Sequence, residues 1–410
     1  MTEDLLKALE DEVGKCISCG FCESVCPTLP AAGYDLWKGA RGRVIMGKEV
    51  LERLTSGNRE QFTVSDSFYS CLDCYACLYV CPAGVNAGKV SHISREIITE
   101  GLLEKNENSL AKMIVSVTMR YMNPLGVRKQ CAEWFQGMEA DTRSSDLLYT
   151  GNMFQLMAYT KNMGQLRKRL GPSAATFMSK FVSMAPSLIK FTSSQRDRQT
   201  EEQMNNSLRN IARLLKASGV SFNYLGEEEP YPGTFIYDLG YRDMFRTYAE
   251  RVVEIFRKAG AKRIITIDPH TYDLLVNTYP EYVRDFDFEV VHYVDLIRDL
   301  NLKRTEEKIT YHEPCHFALR DKAYNAPLET LRKVSTVELP ARSGRKTRCC
   351  GGPDELLFPG VSEKVSDTRY MELQEVKADR IVTVCPICFV NLKKGPKVIE
   401  FSDFIADRLQ

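Results

Sequence analysis

The chain has 410 residues, 55 basic and 54 acidic, with a formal net charge of +1. That length allows two or three domains, the balanced charge argues against a nucleic-acid partner, and no apolar run reaches the roughly 18 residues expected of a membrane helix. The opening MTEDLLKALEDEVGK reads as an acidic amphipathic helix rather than a signal or transit peptide, so a soluble cytoplasmic protein is expected. Thirteen of the fourteen cysteines fall in three groups and Cys131 stands alone. Grouped cysteines in such a chain point to metal or redox chemistry and away from a disulfide framework.

After the first helix, CISCGFCESVCP spaces Cys16, Cys19, Cys22 and Cys26 as C-x2-C-x2-C-x3-C-P, and CLDCYACLYVCP repeats the pattern with Cys71, Cys74, Cys77 and Cys81. In such a run three cysteines wrap one cubane, and the fourth, held before a proline, reaches the other cluster. This reading gives Cys16, Cys19, Cys22 and Cys81 to one [4Fe–4S] cluster, and Cys71, Cys74, Cys77 and Cys26 to a second. Zinc would favour two separated C-x2-C pairs. Two clusters with crossed ligands lie close together and form an electron wire.

The runs are separated by 44 residues, in which RGRVIMGKEVLERL places Val44, Ile45, Met46, Val50, Leu51 and Leu54 at the spacing of a helix with one buried face. CGFCESVCPTLP, this helix and CLDCYACLYVCPAGV together resemble the helical ferredoxin domain of iron–sulfur subunits serving flavin-linked 2-hydroxyacid and glycerol-3-phosphate dehydrogenases. Heterodisulfide reductases have a similar domain. The resemblance covers roughly residues 10 to 100, and the domain is expected over 1–105.

Residues 106–204 are expected to form a helical connector, in which Cys131 is a small buried side chain. From 151 to 200 there are eight Lys or Arg against one acid, Asp197, and five methionines. AATFMSKFVSMAPSLIK sets Phe177, Phe181, Met184 and Leu188 on one helical face, with Lys180 and Lys190 on the wet side. That face either packs on the flanking domains or docks on anionic lipid or a partner groove.

From 205 helical and strand patterns alternate, which argues for α/β units with a mostly parallel sheet. NNSLRNIARLLKASGVSFNYLG reads as a helix and then a strand, as does YAERVVEIFRKAGAKRIITI. The octets IITIDPHT (264–271) and IVTVCPIC (381–388) are one strand and turn written twice, with Asp268 and Thr271 where the second copy has Cys385 and Cys388. The second copy also brings Cys315 in YHEPCH and Cys349 with Cys350 in CCGGPDE, giving C-x33-CC-x34-C-x2-C. Adjacent cysteines make a strained disulfide but offer two thiolates to one metal centre.

These three pieces resemble the cysteine-rich CCG domain, whose members place two modules in tandem. The resemblance implies that Cys315, Cys349, Cys350, Cys385 and Cys388 hold a third iron–sulfur cluster. That cluster is an open, non-cubane [4Fe–4S] centre in the heterodisulfide reductase branch, and a cubane or another centre elsewhere. The second gap is one residue shorter than the usual family range. Aligned by their strands, the halves put Tyr231 and Pro232 at the positions of the cysteine pair, ahead of Gly233. No cysteine lies between 132 and 314, so a first repeat at 205–300 carries no thiolate-held cluster, and the ligand-bearing repeat spans 301–410. Asp268, His270, Asp238 and Glu227 to Glu229 are weighed as a hard-ligand pocket against an ordinary hydrogen-bonded loop. His312 and His316 flank Cys315 as donors to cluster sulfur, proton relays or structural groups. Arg342, Arg345, Lys346 and Arg348 either offset cluster charge or form a solvated loop.

The expected fold is therefore an α+β multidomain chain: an α-helical ferredoxin domain, a helical connector and an α/β tandem repeat whose first copy lacks ligands. There is no dinucleotide fingerprint, and iron–sulfur centres do not take a hydride, so a flavoprotein partner, with FAD expected as its flavin, is implied. The expected role is an electron-transfer subunit of a hetero-oligomer passing electrons toward a quinone or a membrane anchor, peripheral to the cytoplasmic face of the membrane. The alternatives are a disulfide reductase and a non-catalytic iron–sulfur anchor of a larger complex.

Overall fold

A computed structural model describes residues 2–57, 64–103, 108–160, 162–165, 194–320 and 323–410. The face expected from Phe177, Phe181, Met184 and Leu188, with Lys180 and Lys190, lies outside these residues. Among the described residues, no helix is long and apolar enough to cross a membrane.

The N-terminal part is helical. α1 (Thr2–Val13), α2 (Ala40–Ser56) and α3 (Ala87–Thr99) enclose Leu5, Leu9, Val13, Val44, Val50, Val90 and Ile97. Each such burial is worth about 1.5–3 kcal/mol, which lets helices rather than hairpins carry the cysteine loops. Asn86 starts α3 by accepting from the backbone N–H of Gly88 and Lys89. Of the face expected for α2, Val44, Met46 and Val50 are buried, Leu51 and Leu54 half-buried, and Ile45 faces solvent.

Two parallel sheets follow. β1 (Asp146–Tyr149), β2 (Arg263–Thr266) and β3 (Glu289–His292) lie in that order. β4 (Lys308–Tyr311), β5 (Thr336–Val337), β6 (Arg380–Thr383) and β7 (Val398–Glu400) are ordered β5-β4-β6-β7. Asn223 makes a parallel bridge to Leu147. The first sheet therefore reads 223–β1–β2–β3 and repeats the order of the second, segment for segment along the chain.

This moves the start of the first repeat from 205 to 146. The connector supplies the strand β1, and the strand expected near 220–224 is reduced to the bridge at Asn223. Four residues such as DLLY have no readable period, and they become a strand because β2 offers a partner more than a hundred residues away. A helix at Arg198–Ala217 joins the modules, with Ser207 and Asn210 each donating to Asp403 at 2.9 Å.

The register aligns the copies residue by residue. Leu148 pairs with Ile265 and Tyr311 with Val382, and Ile265 corresponds to Val382 in the octets. Leu148 therefore matches Tyr311, and Asn152 falls where the second copy has Cys315. Gly233 and Gly351 also match, with φ of 86° and 85°. A side chain is doubly excluded at either: the left-handed backbone disfavours it, and a Cβ would lie 2.8 Å from the Tyr248 ring or 2.7 Å from the Ser362 carbonyl oxygen.

Candidate metal centres and the cleft beside them

The two N-terminal cysteine loops are wound alike. Ser18 and Gly20 flank Cys19 with φ of 59° and 82°, and Asp73 and Tyr75 flank Cys74 with φ of 47° and 62°. Left-handed backbone at a non-glycine residue costs about 1–2 kcal/mol, and successive turns of this kind aim N–H groups at an enclosed anion. The thiol of Cys22 has Cys26, Cys16 and Cys81 as electrostatic neighbours, and that of Cys77 has Cys71 and Cys26. The last cysteine of each run thus lies beside the other run. Burial first, then neighbouring thiols and, at Cys22, Glu23, pushes Cys22 and Cys77 up to about 12. Arg43, itself buried, points Nη1 at Cys26 Sγ, 3.7 Å away, and Val85 N–H donates to Cys81 Sγ at 3.3 Å.

In the second module Cys315 follows β4, Cys349 and Cys350 precede Gly351, and Cys385 and Cys388 follow β6. All five are buried. Cys315 and Cys349 have their sulfurs 4.0 Å apart, while Cys350 and Cys388 share a site with His312, their ligand atoms all within 4.8 Å of one another. Hydrogen bonding from Cys349 and Cys388 draws the Cys350 thiol down, whereas sulfur contacts and burial push Cys315, Cys349 and Cys388 up. Sulfurs gathered this way ionise together only around a cation, and an all-sulfur set suits zinc or iron–sulfur centres rather than hard cations.

The histidines separate by role. Arg369 Nε donates to His312 Nδ1 at 3.1 Å, and a guanidinium has no acceptor to offer. Nδ1 must therefore keep its lone pair. Burial, followed by the Arg369 charge, holds His312 neutral, so its proton sits on Nε2. That atom has no partner among the described residues and faces Cys350 and Cys388. Nε2–H of His312 thus shares the site of Cys350 and Cys388 without a hydrogen bond to either sulfur, and in this tautomer Nε2 has no lone pair with which to ligate. His316 instead turns from the sulfurs and stacks on His270, centroids 3.9 Å apart.

The basic run before the cysteine pair is engaged elsewhere. Arg348 and Arg342 lie 2.8 and 3.6 Å from Glu372, Arg345 covers the Tyr79 ring at 4.4 Å, and Lys346 is exposed.

In the first module two of the ligand positions, Asp268 and Asn152, are engaged by hydrogen bonds, while Asp268 Oδ2 and Thr271 Oγ1 are buried with no partner among the described residues. Asp268 accepts from the N–H groups of His270 and Thr271 and so caps α4 (Pro269–Asp273). Glu229 accepts from Thr150 N–H at 2.7 Å and Asn152 Nδ2 at 2.9 Å. Gly151 leaves only 3.0–3.1 Å between a would-be Cβ and Pro232 or Thr271. The hard-ligand pocket does not assemble among the described residues: Asp268 is a cap, Glu229 is tied to Asn152, Glu227 and Glu228 are spread on the surface, and Asp238 pairs with His270 at 3.2 Å. Burial disfavours both charges of this last pair, yet each partner overrides it. Asp238 lies below and His270 above its ordinary pKa. Burial, then His270 and Arg320, lowers His316 to about 3.

The three parts meet at one joint. Cys74, Cys315 and Cys349 belong to a single buried cluster with Leu72, Leu319 and Val365. Arg320, from the second module, bonds Asp273 of the first at 2.7 Å and lies 3.7 Å over the Tyr75 ring of the helical domain. Next to this joint is a cleft that is partly open to solvent. Leu125, Met153, Met157, Phe235, Leu357 and Ile387 make it largely apolar, and His270, Asp238 and Tyr159 are among its polar residues. Sequence reasoning missed Asn152, Tyr159 and Arg320; only the match of DLLYTGN to ITYHEPC, a short apolar run before a turn, hinted at the first.

Comparison with known proteins agrees with this geometry. The family model for a 4Fe-4S dicluster domain matches residues 12–85, and that for a cysteine-rich domain matches 309–393. The chain is similar to a dihydromethanophenazine:CoB–CoM heterodisulfide reductase subunit of Methanosarcina barkeri, at 23% identity over 99% of this chain and 94% of the relative. It is 23% identical to a probable glycolate oxidase iron–sulfur subunit of Bacillus subtilis, over 94% of this chain and 89% of the relative. Against EtfAB:quinone oxidoreductase of Syntrophomonas wolfei it is 25% identical over 82% of its own length, but spans only 44% of that relative. Cysteine loops, paired modules and matches together give the chain a 4Fe-4S dicluster domain followed by a cysteine-rich domain.

Proposed function

We propose that the chain is the electron-transfer subunit of a flavin-linked dehydrogenase acting on a 2-hydroxyacid or glycerol 3-phosphate, and that it passes electrons toward a quinone. Cys16, Cys19, Cys22 and Cys81 hold one [4Fe–4S] cluster, Cys71, Cys74, Cys77 and Cys26 a second, and the five cysteines of the second module a third. When bound, these clusters accept and release single electrons. The observation that carries the reading is that Cys74 shares one buried cluster with Cys315 and Cys349, which sets the N-terminal cysteines beside the C-terminal ones. At the far end Cys19 is exposed, between Ile17 (66% exposed) and Phe21 (59%) and in a segment that also bares Tyr34, Leu36 and Trp37. Bared apolar surface of this kind marks a docking face, and beside a cluster it suits a flavoprotein donor. Relatives named for glycolate oxidase and for EtfAB:quinone oxidoreductase favour the same pairing. The disulfide-reductase reading is weaker, because Asn152, Tyr231, Pro232, Asp268 and Thr271 replace the thiolates of a second module centre.

Anaerobically reconstituted protein is expected to bind about twelve irons per chain; a total near eight would remove the third centre. A second expectation concerns its potential. A hydrogen bond to an anionic acceptor is worth about 1.5–3 kcal/mol and strengthens as charge is added. His312→Leu should therefore lower the third centre's reduction potential by on the order of 50 mV, read by EPR-monitored titration. An unchanged potential would mean that Nε2–H does not address the sulfurs.

A further inference from the structure

We propose that the cleft between the modules is the binding site for the ring of a neutral, lipophilic quinone. The inference rests on the electron-transfer reading for its ligand class, and on the structure for its place.

The position comes first. The cleft is lined by residues next to ligand cysteines of both neighbouring sets: Leu72 and Asp73 beside Cys71 and Cys74, His316 beside Cys315, Gly352 after Cys350, and Ile387 between Cys385 and Cys388. Its opposite wall is the first module, where Tyr231, Phe235 and His270 come from the loops that have lost their thiolates. A molecule in the cleft therefore has Cys71 and the cysteine loops of the second module along one side, and no cysteine among the described residues of the first-module wall. A ring that stays whole on reduction needs no thiolate on that second wall.

Charge and polarity narrow the class further. Arg95, the one guanidinium lining the cleft among the described residues, gives four hydrogen bonds to the backbone carbonyls of Phe68, Cys71 and Asp238. His270 is paired with the Asp238 carboxylate at 3.2 Å. Asp73 and Glu355 add carboxyl groups without further cations. A carboxylate, sulfonate or phosphate ligand thus finds no unmatched positive charge there, whereas a neutral ring meets an apolar wall. Two donors suit carbonyl oxygens. The Tyr159 hydroxyl, on a residue 2% exposed, has no hydrogen-bond partner among the described residues, and a buried hydroxyl left so is costly unless a ligand completes it. His270 Nε2 is taken by Asp238, which leaves Nδ1 on a ring held in place by that pair and by the stack on His316.

The test uses the full, iron-loaded chain and reads binding without turnover. The probe is 2-heptyl-4-hydroxyquinoline N-oxide, a fluorescent quinone analogue, followed by fluorescence and by EPR. Saturable binding that perturbs the C-terminal signal and spares that of the exposed Cys19 end is expected. Met157→Trp and Leu125→Trp, which fill the cleft, should weaken it at least about tenfold with iron content unchanged, and Tyr159→Phe should weaken it severalfold. If Met157→Trp loses iron, Leu125→Trp at the half-buried rim decides. Absence of saturable binding by a chain that holds about twelve irons, or binding indifferent to cleft filling, overturns the site and leaves the electron-transfer reading standing. Displacement of the probe by a small organic disulfide at equal concentration overturns the ligand class. A low iron content in the parent chain would instead overturn the electron-transfer reading.

Discussion

Cys349→Ser is expected to cost the protein about four of its roughly twelve irons and to cut electron delivery from donor to acceptor by at least about 100-fold. Cys349 sits where two demands meet. Its sulfur lies 4.0 Å from Cys315 and accepts the Gly351 N–H at 3.4 Å, so it is built into the second module's donor set. It also packs in the buried cluster that contains Cys74, so it stands at the crossing between the helical domain and that module. A serine hydroxyl is a harder and far less acidic donor than a thiol. Even the groups that only support a ligand are commonly worth 10- to 100-fold; a ligand should cost no less. The two N-terminal EPR signals should persist, because Cys16, Cys22, Cys26, Cys77 and Cys81 rest on the core around α1, α2 and α3 and only Cys74 shares the cluster of Cys349. Loss of every signal together would show instead that the substitution unfolds the chain.

Asp273→Ala should destabilise the protein by about 3–5 kcal/mol, the usual cost of leaving one member of a buried ion pair alone. The side chains of Asp273 and Arg320 are 13% and 12% exposed and meet at 2.7 Å. Arg320 also reaches the Asp73 carbonyl at 3.4 Å and covers Tyr75, so one guanidinium holds all three parts of the molecule at their joint. The double variant Asp273→Ala/Arg320→Met should recover much of the loss, since it removes the stranded charge as well. Urea unfolding midpoints, measured anaerobically, decide this; a double variant no better than the single one would show that packing, not charge, sets the cost. The pair also predicts a pH dependence. Burial alone would raise the Asp273 carboxyl, but Arg320 and then His316 hold it well below the usual range. A carboxyl depressed on folding adds stability that is complete above its unfolded pKa near 4 and is lost as pH falls toward the folded value. Between pH 5 and 3 the parent should therefore lose stability more steeply than Asp273→Ala; parallel curves would mean that the carboxylate is not stabilised by the fold.

The amino-acid sequence by itself determined the N-terminal centres and the second module. A C-x2-C-x2-C-x3-C-P run is a local device: three ligands within seven residues can converge only by wrapping one object, and the loops around Cys19 and Cys74 do wind alike. The octet repeat likewise showed that Asp268 and Thr271 stand where Cys385 and Cys388 carry sulfur. What only the tertiary structure decided is where distant pieces meet. β1 was hidden in the connector because a four-residue run shows no period and is a strand only through pairing with β2. Asn152 could be matched to Cys315 only through that pairing. The proton position on His312 depends on Arg369, 57 residues away, and the clamp at Arg320 joins residues 247 apart. Short-range spacing records what one loop can hold, whereas a cleft is made by side chains whose neighbours are set by packing, and packing leaves no periodic trace in the chain.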